Sequence, residues 1–290
     1  MEQLNPVNHE NCTCVIVTYN PDSSILDNLN AHLKLFNQII IVDNNSKNVL
    51  FNQIESFCKN YNQIKIIKLY KNYGIAYGLN KGIEAVKSAS QWICLFDQDS
   101  YPPRNLFSSY NFVLESVNFS NKTGIIGVGF SEKASKCLNF SYRKSLSIIT
   151  SGSLVNKKVF NKIGFFNETF FIDSVDFEFN LRLSISGFDT YLIDQKILKH
   201  SLGNIKCKKF LFMNICSTNH NHLRRFYIAR NHAALTLDYF KSFPLWIIKK
   251  NYFFLLSLIK LIIIEKDRKI KLNHTIRGLS EGCKFSKKFQ

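Results

Sequence analysis

Residues 91–100 read QWICLFDQDS, an apolar run of strand length that stops at Asp97-Gln98-Asp99. The run predicts a buried strand whose carboxyl end carries two carboxylates one residue apart. Side chains at positions i and i+2 leaving a strand can be aimed at one point, and hard oxygen ligands suit Mg²⁺ or Mn²⁺. An isolated Asp-x-Asp also caps turns, so its place in the fold decides between the two interpretations.

Three apolar runs earlier in the chain have the same form. They lie at residues 12–19, 38–42 and 64–70, and amphipathic helices are predicted between them. Strands that alternate with helices predict an α/β fold with a mostly parallel sheet flanked by helices. The polar clusters that end the strands, at 18–20, 43–45 and 97–99, would then share the carboxyl edge of the sheet, where open α/β sheets bind ligands.

The rest of the chain is less regular. Strands are predicted at 124–129, 146–150 and 190–193, helices at 155–163 and 173–186, and a loop around His200. From about residue 205 the chain is predicted to be helical, basic and aromatic, with no further alternation of strands and helices. We therefore expect a catalytic domain at 1–205, with a nucleotide-sugar half at about 12–100 and an acceptor half at about 101–205, and a separate C-terminal region at 206–290.

The net charge of +17 is concentrated in the last third of the chain. Residues 1–194 hold 18 Lys+Arg and 17 Asp+Glu, whereas residues 195–290 hold 20 and 4. A basic segment of this kind attracts polyanions such as phosphates, nucleic acid or an anionic membrane. The C-terminal part is apolar and lacks a recognisable nucleic-acid motif, so we expect no nucleic-acid partner.

Residues 243–270 mix aromatic, aliphatic and lysine side chains. Lys249, Lys250 and Lys260 interrupt the apolar run, which argues against a membrane-spanning helix. The mixture is typical of a helix or helical hairpin that lies in a membrane interface, with lysines at the head groups. The alternatives are docking on the catalytic domain or on a second copy of the chain in a homo-oligomer.

The eight cysteines are scattered and form no CxxC pair. This pattern is typical of reduced thiols rather than of a zinc site or a disulfide framework. The polar N-terminus lacks the apolar segment of a signal peptide. We therefore expect a cytoplasmic protein, held peripherally at the inner face of the cell membrane.

Five motifs in order carry a family resemblance: VIVTYNP at 15–21, IVDNNS at 41–46, KNYGIAYGLNKGI at 71–83, FDQDS at 96–100 and FFIDSVDFEFNLRLSISGFDTY at 170–191. Together they resemble the GT2 family of GT-A glycosyltransferases over roughly residues 12–235. The D-Q-D-S and I-D-x-V-D-F-E segments resemble its bacterial rhamnosyltransferase branch.

The resemblance implies a role for each matching residue. It implies that Asp176 is the catalytic base, that Asp97 and Asp99 hold the metal, and that His200 is a further ligand. It also implies that Asp43 accepts a hydrogen bond from a uracil or thymine ring. The other residues it places around the nucleotide-sugar are Thr18, Tyr19, Asn20, Asn45, Asn72, Gly74, Asn80, Asp97 and Gln98.

The resemblance thus implies an inverting, metal-dependent glycosyltransferase that uses Mg²⁺ or Mn²⁺. The donor would be dTDP-L-rhamnose, or alternatively a UDP-sugar. The acceptor would be a polyprenyl-diphosphate-linked or other oligosaccharide in the synthesis of O-antigen, capsule or another bacterial surface polysaccharide. A protein of another class, which binds polyanions through its basic C-terminus, is the alternative.

Overall fold

All four strands predicted in the first hundred residues are present in the computed structural model, which describes residues 4–47, 50–135, 139–200, 206–210 and 213–286. The chain divides into two compact units, Met1–Phe171 with Val175–Ser201, and Ile172–Ser174 with Leu202–Gln290. The predicted boundary near residue 205 lies outside the described residues and stays a prediction.

The first unit is built on a nine-stranded mixed sheet with the order β3-β2-β1-β4-β8-β6-β9-β5, and β7 pairs with β9. Its strands are β1 (Cys12–Thr18), β2 (Ile39–Asp43), β3 (Ile64–Lys68), β4 (Trp92–Asp97), β5 (Ser100–Tyr101), β6 (Thr123–Ser131), β7 (Tyr142–Lys144), β8 (Ser153–Asn156) and β9 (Asp189–His200). Its helices are α1 (Ser24–Leu33), α2 (Leu50–Cys58), α3 (Ile75–Glu84), α4 (Leu106–Ser116), α5 (Lys158–Ile163) and α6 (Val175–Ile185).

The strand register brings the polar strand ends together. β1 is central and pairs in parallel with β2 and β4, so that Thr18 lies opposite Asp43 and Val17 opposite Asp97. The strand interiors are buried because both faces of the sheet are covered, and each fully buried Leu or Ile there contributes about 1.5–3 kcal/mol. The predicted mostly parallel α/β sheet and its ligand-binding edge are therefore present in this unit.

The second half of the sheet differs from the prediction in three places. Residues 146–150 form no strand, whereas residues 142–144 and 153–156 do, so the predicted helix at 155–163 begins only at Lys158. β9 continues to His200, far past the predicted end at residue 193, and therefore places His200 on a strand rather than in a loop. These strands are partly exposed or irregular, and they lack the apolar alternation that marks a strand in sequence.

The second unit contains three helices and a hairpin among its described residues. They are β10 (Lys206–Phe210), β11 (Met213–Ser217), α7 (His222–Tyr239), α8 (Pro244–Ile264) and α9 (Arg268–Ser286). α7 and α9 approach closely, since a Cβ on Gly278 or Gly282 would overlap the backbone carbonyl of Phe226 or Arg230. The region is helical over α7, α8 and α9, but the β10–β11 hairpin was not predicted, because its residues carry no apolar pattern that distinguishes strand from loop.

One buried carboxylate and two buried cations stabilise this unit internally. Glu265 accepts hydrogen bonds from Arg225 and, at 2.9 Å, from Lys271, and all three side chains are almost fully buried. Ser217 Oγ also donates to Glu265 at 2.5 Å, which links β11 to the end of α8. Removing the Glu265 carboxylate would leave Arg225 and Lys271 buried without a counter-charge, and this change is strongly destabilising.

The hairpin also corrects the interpretation of the cysteines. Cys207 and Cys216 face each other across β10 and β11 and form a disulfide, so these two are not the reduced thiols expected from the sequence. The cysteines that the structure describes as free are Cys12, Cys14, Cys58, Cys94 and Cys283.

Among the described residues, no helix combines the length and the apolar run that crossing a bilayer requires.

Candidate active site

The edge formed by β1 and β2 is held together by Asp43. This carboxylate is completely buried and accepts hydrogen bonds from Thr18 Oγ1 at 3.1 Å, Ser46 Oγ at 2.5 Å and the Ser46 backbone N–H at 2.8 Å. Both carboxylate oxygens therefore accept hydrogen bonds from within the protein in this conformation. The predicted contact of Asp43 with a pyrimidine ring stays a prediction.

Asn44 organises the next loop of the site, a role that the sequence did not reveal. Its side chain donates to the carbonyl of Gly74 at 3.0 Å and accepts from the N–H of Tyr73 at 2.9 Å. Asn72 Oδ1 accepts from the Gly74 N–H at 2.9 Å. Gly74 has a φ of 92°, and a Cβ there would overlap Phe171. Asn44 thus holds the segment of Asn72, Tyr73 and Gly74 beside the end of β2. Contact of Asn72 and Gly74 with the nucleotide-sugar stays a prediction.

The loop after β1 is tied to the Asp-Gln-Asp segment. Gln98 Oε1 accepts from the N–H of Tyr19 at 2.8 Å, while the Tyr19 side chain remains 45% exposed. Asn20 and Asn45 both have positive φ, which asparagine tolerates better than most residues. The Asn20 N–H donates to Ser46 Oγ at 2.8 Å, which connects the loop after β1 to the turn after β2.

Asn80 has a structural task in α3. Its amide donates to the Phe166 carbonyl and to Glu168, each at 2.9 Å, and its oxygen accepts from the Phe166 N–H at 3.0 Å. The side chain is buried and its hydrogen-bonding groups are engaged with this loop. Contact between Asn80 and the nucleotide-sugar stays a prediction.

Three predicted metal ligands converge at the end of the sheet. One candidate ligand atom from each of Asp97, Asp99 and His200 lies within 4.8 Å of the others. The antiparallel pairing of β5 with β9 produces this convergence by setting Ser100 opposite His200. Two carboxylates and an imidazole form a donor set that a divalent cation such as Mn²⁺ accepts, so these residues fit the ion that the sequence predicts.

Two serine hydroxyl groups form a hydrogen-bonded chain that ends at His200. The Asp97 N–H donates to Ser151 Oγ at 3.1 Å, Ser151 donates to Ser100 Oγ at 2.6 Å, and Ser100 Oγ lies 2.7 Å from His200 Nδ1. Both serines are buried. Phe130 packs against the imidazole ring in an edge-on arrangement. The ring is thereby fixed between a buried hydroxyl, an aromatic side chain and the carboxylates.

The same carboxylates shift the titration of His200. Burial lowers the pKa of the imidazole, but a hydrogen bond with Asp99 and the negative charges of Asp99 and Asp97 outweigh burial and raise the pKa above its ordinary 6.5. His200 Nδ1 lies 3.3 Å from Asp99 Oδ1. The two carboxylates thus favour the protonated form of the imidazole.

Asp176 is the second residue of α6, half-buried, and accepts from the N–H of Phe177 at 2.9 Å. Glu178 in the same turn has a different environment, because its carboxylate forms a bidentate pair with Arg182 at 2.9 Å. The two acids of this turn therefore have different surroundings. Asp176 as the catalytic base stays a prediction.

The arginines of α7 are all engaged. Arg224 makes two 3.0 Å contacts with the Asp173 carboxylate, Arg225 pairs with Glu265, and Arg230 stacks on Tyr227 and Phe285. Asn231 donates at 2.8 Å to the carbonyls of Ile172 and Asp173. Asp173 and Ser174 have φ values of 65° and 63°, and these contacts hold that strained turn.

A nucleotide-diphospho-sugar transferase of the GT-A type is the class that this sheet and its acidic edge define. Residues 13–164 match the family described as Glycosyl transferase family 2, and the chain belongs to that family. Within it the chain is similar to the dTDP-rhamnosyl transferase RfbF of Shigella flexneri, with 29% identity over 306 aligned positions that cover 96% of this chain and 99% of that protein. The protein is thus a rhamnosyltransferase-like member of the family, as its motifs indicated.

Solved structures support the fold. The structure of S. aureus TarS 1–349 in complex with UDP superposes with a TM-score of 0.53 and 11% identity, covering 96% of this chain and 73% of TarS 1–349. GalNAc-T7 with UDP, GalNAc and Mn²⁺ superposes with a TM-score of 0.58 and 11% identity, covering 81% of this chain and 50% of GalNAc-T7. Similarity at this level of identity establishes the shared GT-A fold.

Proposed function

We propose that this glycosyltransferase moves L-rhamnose from dTDP-L-rhamnose to an acceptor hydroxyl, with inversion at the anomeric carbon and with a divalent cation, Mg²⁺ or Mn²⁺. The observation that carries the proposal is the convergence of Asp97, Asp99 and His200 at the carboxyl edge of the sheet. The similarity to a dTDP-rhamnosyl transferase over nearly the whole chain favours rhamnose over other sugars.

The proposed metal site is formed by Asp97, Asp99 and His200. A bound cation would neutralise charge that grows on the leaving diphosphate. Asp97 and Asp99 contribute the hard oxygen donors, and Ser100 restrains the imidazole beside them. Thr18 and Tyr19 at the end of β1, and Asn72 and Gly74 before α3, lie in the segments where the nucleotide would bind.

Asp176 supplies the base in this proposal. Its carboxylate takes the proton of the acceptor hydroxyl while that oxygen bonds to the anomeric carbon and the bond to the diphosphate breaks. Attack from the face opposite the leaving group inverts the configuration. Glu178 is held by Arg182 and is therefore the less suitable acid of the two.

The proposed acceptor is a polyprenyl-diphosphate-linked oligosaccharide used for a bacterial surface polysaccharide such as O-antigen. This acceptor would be met at the cytoplasmic face of the cell membrane, with the protein bound peripherally. The alternative acceptor is a soluble oligosaccharide, which the protein could bind without contacting a membrane.

A thermal-shift panel of nucleotide-sugars with Mn²⁺ tests the donor, because a bound donor stabilises the native state by mass action. We expect dTDP-L-rhamnose to raise the Tm more than UDP-glucose or UDP-GlcNAc. A larger shift with a UDP-sugar would favour the alternative donor class. Transfer should stop in EDTA and return with Mg²⁺ or Mn²⁺, whereas full activity in EDTA would remove the metal from the proposal.

A polyanion-binding protein without catalysis is the rival function, favoured by the basic C-terminal third. It predicts salt-dependent DNA binding and no turnover of any nucleotide-sugar. This rival function does not explain why Asp97, Asp99 and His200 converge at the edge of the sheet.

A further inference from the structure

An apolar stripe runs along the exposed side of α8. Its members are between 42 and 81% exposed, which is unusual for large apolar side chains. We define the α8 stripe as Leu245, Ile248, Tyr252, Leu255, Ile259 and Ile262.

The stripe is continuous in three dimensions. At 3.6 residues per turn its six side chains fall within an arc of about 100°, and they extend over about 26 Å of helix axis. The opposite side of α8 carries the buried Ile247, Leu261 and Ile264, which pack within the protein. α8 therefore has one apolar face that the protein covers and a second that it leaves exposed.

Charge borders the stripe on one flank. Lys249 and Lys260 follow the apolar arc around the helix, and both are exposed. No acidic residue occurs between residues 244 and 264. Glu265, at the end of the helix, is buried against Arg225 and Lys271 and adds no negative charge to this surface.

We propose that the α8 stripe is a docking surface for an anionic lipid membrane, on which α8 lies in the plane of the interface. The apolar side chains would enter the boundary between head groups and acyl chains, and the flanking lysines would contact acidic head groups. Exposed Lys249 and Lys260 beside the stripe, on a helix without acidic residues, complement an anionic surface and oppose close pairing of two copies of this face. This inference goes beyond glycosyl transfer and does not depend on the identity of the donor.

Co-sedimentation of the whole 290-residue chain with lipid vesicles tests the proposal. Binding should be strong to phosphatidylcholine vesicles containing phosphatidylglycerol and weaker to phosphatidylcholine alone. The double variant Ile248→Ser/Leu255→Ser should weaken binding by at least 10-fold, since it removes apolar surface that would be buried. Ile185→Ser, an equally exposed apolar residue at the end of α6, is the matched control and should leave binding unchanged.

The charge contribution has its own variants. Lys249→Gln and Lys260→Gln should each weaken binding roughly fivefold at low salt, and added salt should remove that difference. Lys65→Gln, an exposed lysine of β3, is the control. Dependence on the apolar residues together with the two lysines supports the proposal.

Three results would overturn it: equal binding to neutral and anionic vesicles, unchanged binding of the serine double variant, or no binding to either vesicle. Analytical ultracentrifugation identifies the competing occupant, because a dimer that the serine double variant dissociates would assign the stripe to a second copy of the chain. Hydrolysis of dTDP-L-rhamnose in solution is measured for every variant. Unchanged hydrolysis with lost vesicle binding separates failure of docking from failure of the proposed catalysis.

Discussion

Ser100 and His200 are partners across the antiparallel β5–β9 pair, and the Ser100 hydroxyl lies 2.7 Å from Nδ1 of the imidazole. The Ser100 hydroxyl is buried and accepts a hydrogen bond from Ser151, which fixes its position beside the imidazole. This relationship orients a candidate metal ligand whose partners Asp97 and Asp99 lie a hundred residues away in the chain.

Ser100→Ala should therefore weaken Mn²⁺ binding by about 10-fold, the usual scale when a residue that orients a metal ligand is lost. Titration followed by the EPR signal of free Mn²⁺ measures this without requiring turnover. Ser109→Ala removes another buried hydroxyl, one bonded only within α4, and should leave the affinity unchanged. An equal loss from Ser100→Ala in a His200→Ala background would mean that Ser100 does not act through His200.

Asp176→Asn should reduce transfer by about 10²-fold or more, because the amide cannot accept the proton of the acceptor hydroxyl. Donor affinity and the Tm should stay near those of the wild type, since the amide keeps the oxygen that accepts from the Phe177 N–H. The kcat for transfer and the donor-induced thermal shift separate the two effects. Loss of donor binding or of folding would assign Asp176 a structural role.

Asp43→Asn should destabilise the fold by about 1–3 kcal/mol, because a buried carboxylate that accepts three hydrogen bonds is replaced by an amide with one acceptor oxygen. Chemical denaturation of the ligand-free protein measures the change. Asp27→Asn, at an exposed position of α1, is the control. A variant with wild-type stability but weakened donor binding would instead favour direct recognition of the base.

Glu265→Gln should destabilise the protein by about 3–5 kcal/mol, since Arg225 and Lys271 would stay buried without their counter-charge. Burial raises the pKa of Glu265, but its hydrogen bonds with Ser217, Lys271 and Arg225 outweigh burial and lower the pKa below 4.5. The stabilisation is thus fully present above about pH 4.5 and is lost as the pH falls through the lowered pKa.

Denaturation of wild type and Glu265→Gln from pH 7 to pH 3 tests this dependence. The difference in the free energy of unfolding should be constant near neutral pH and should shrink in acid. Glu281→Gln removes an exposed carboxylate that pairs with Lys284, and it should have little effect at any pH. A difference that grows in acid would contradict the role given to Glu265.

The sequence was a reliable guide wherever one local pattern dominated. The first four strands were predicted because both faces of the sheet are covered, so their residues form unbroken apolar runs. Asp97 and Asp99 could be assigned to the ligand-binding edge because they directly follow such a run. The family motifs then placed His200 near the metal, although local pattern alone put it in a loop.

The tertiary structure decided which polar groups meet. The partly exposed β7 and β9 have no distinctive local pattern, so the extension of β9 that sets His200 opposite Ser100 was not visible in the sequence. Asn44 and Asn80 look like ordinary loop and helix residues, yet their amides hold segments 30 and 86 positions away. Sequence by itself determined the first four strands, the family and the acidic strand end, because these depend on neighbours in the chain. Burial of Asp43, support of His200 and the exposed face of α8 depend on contacts between distant segments, which only folding brings together.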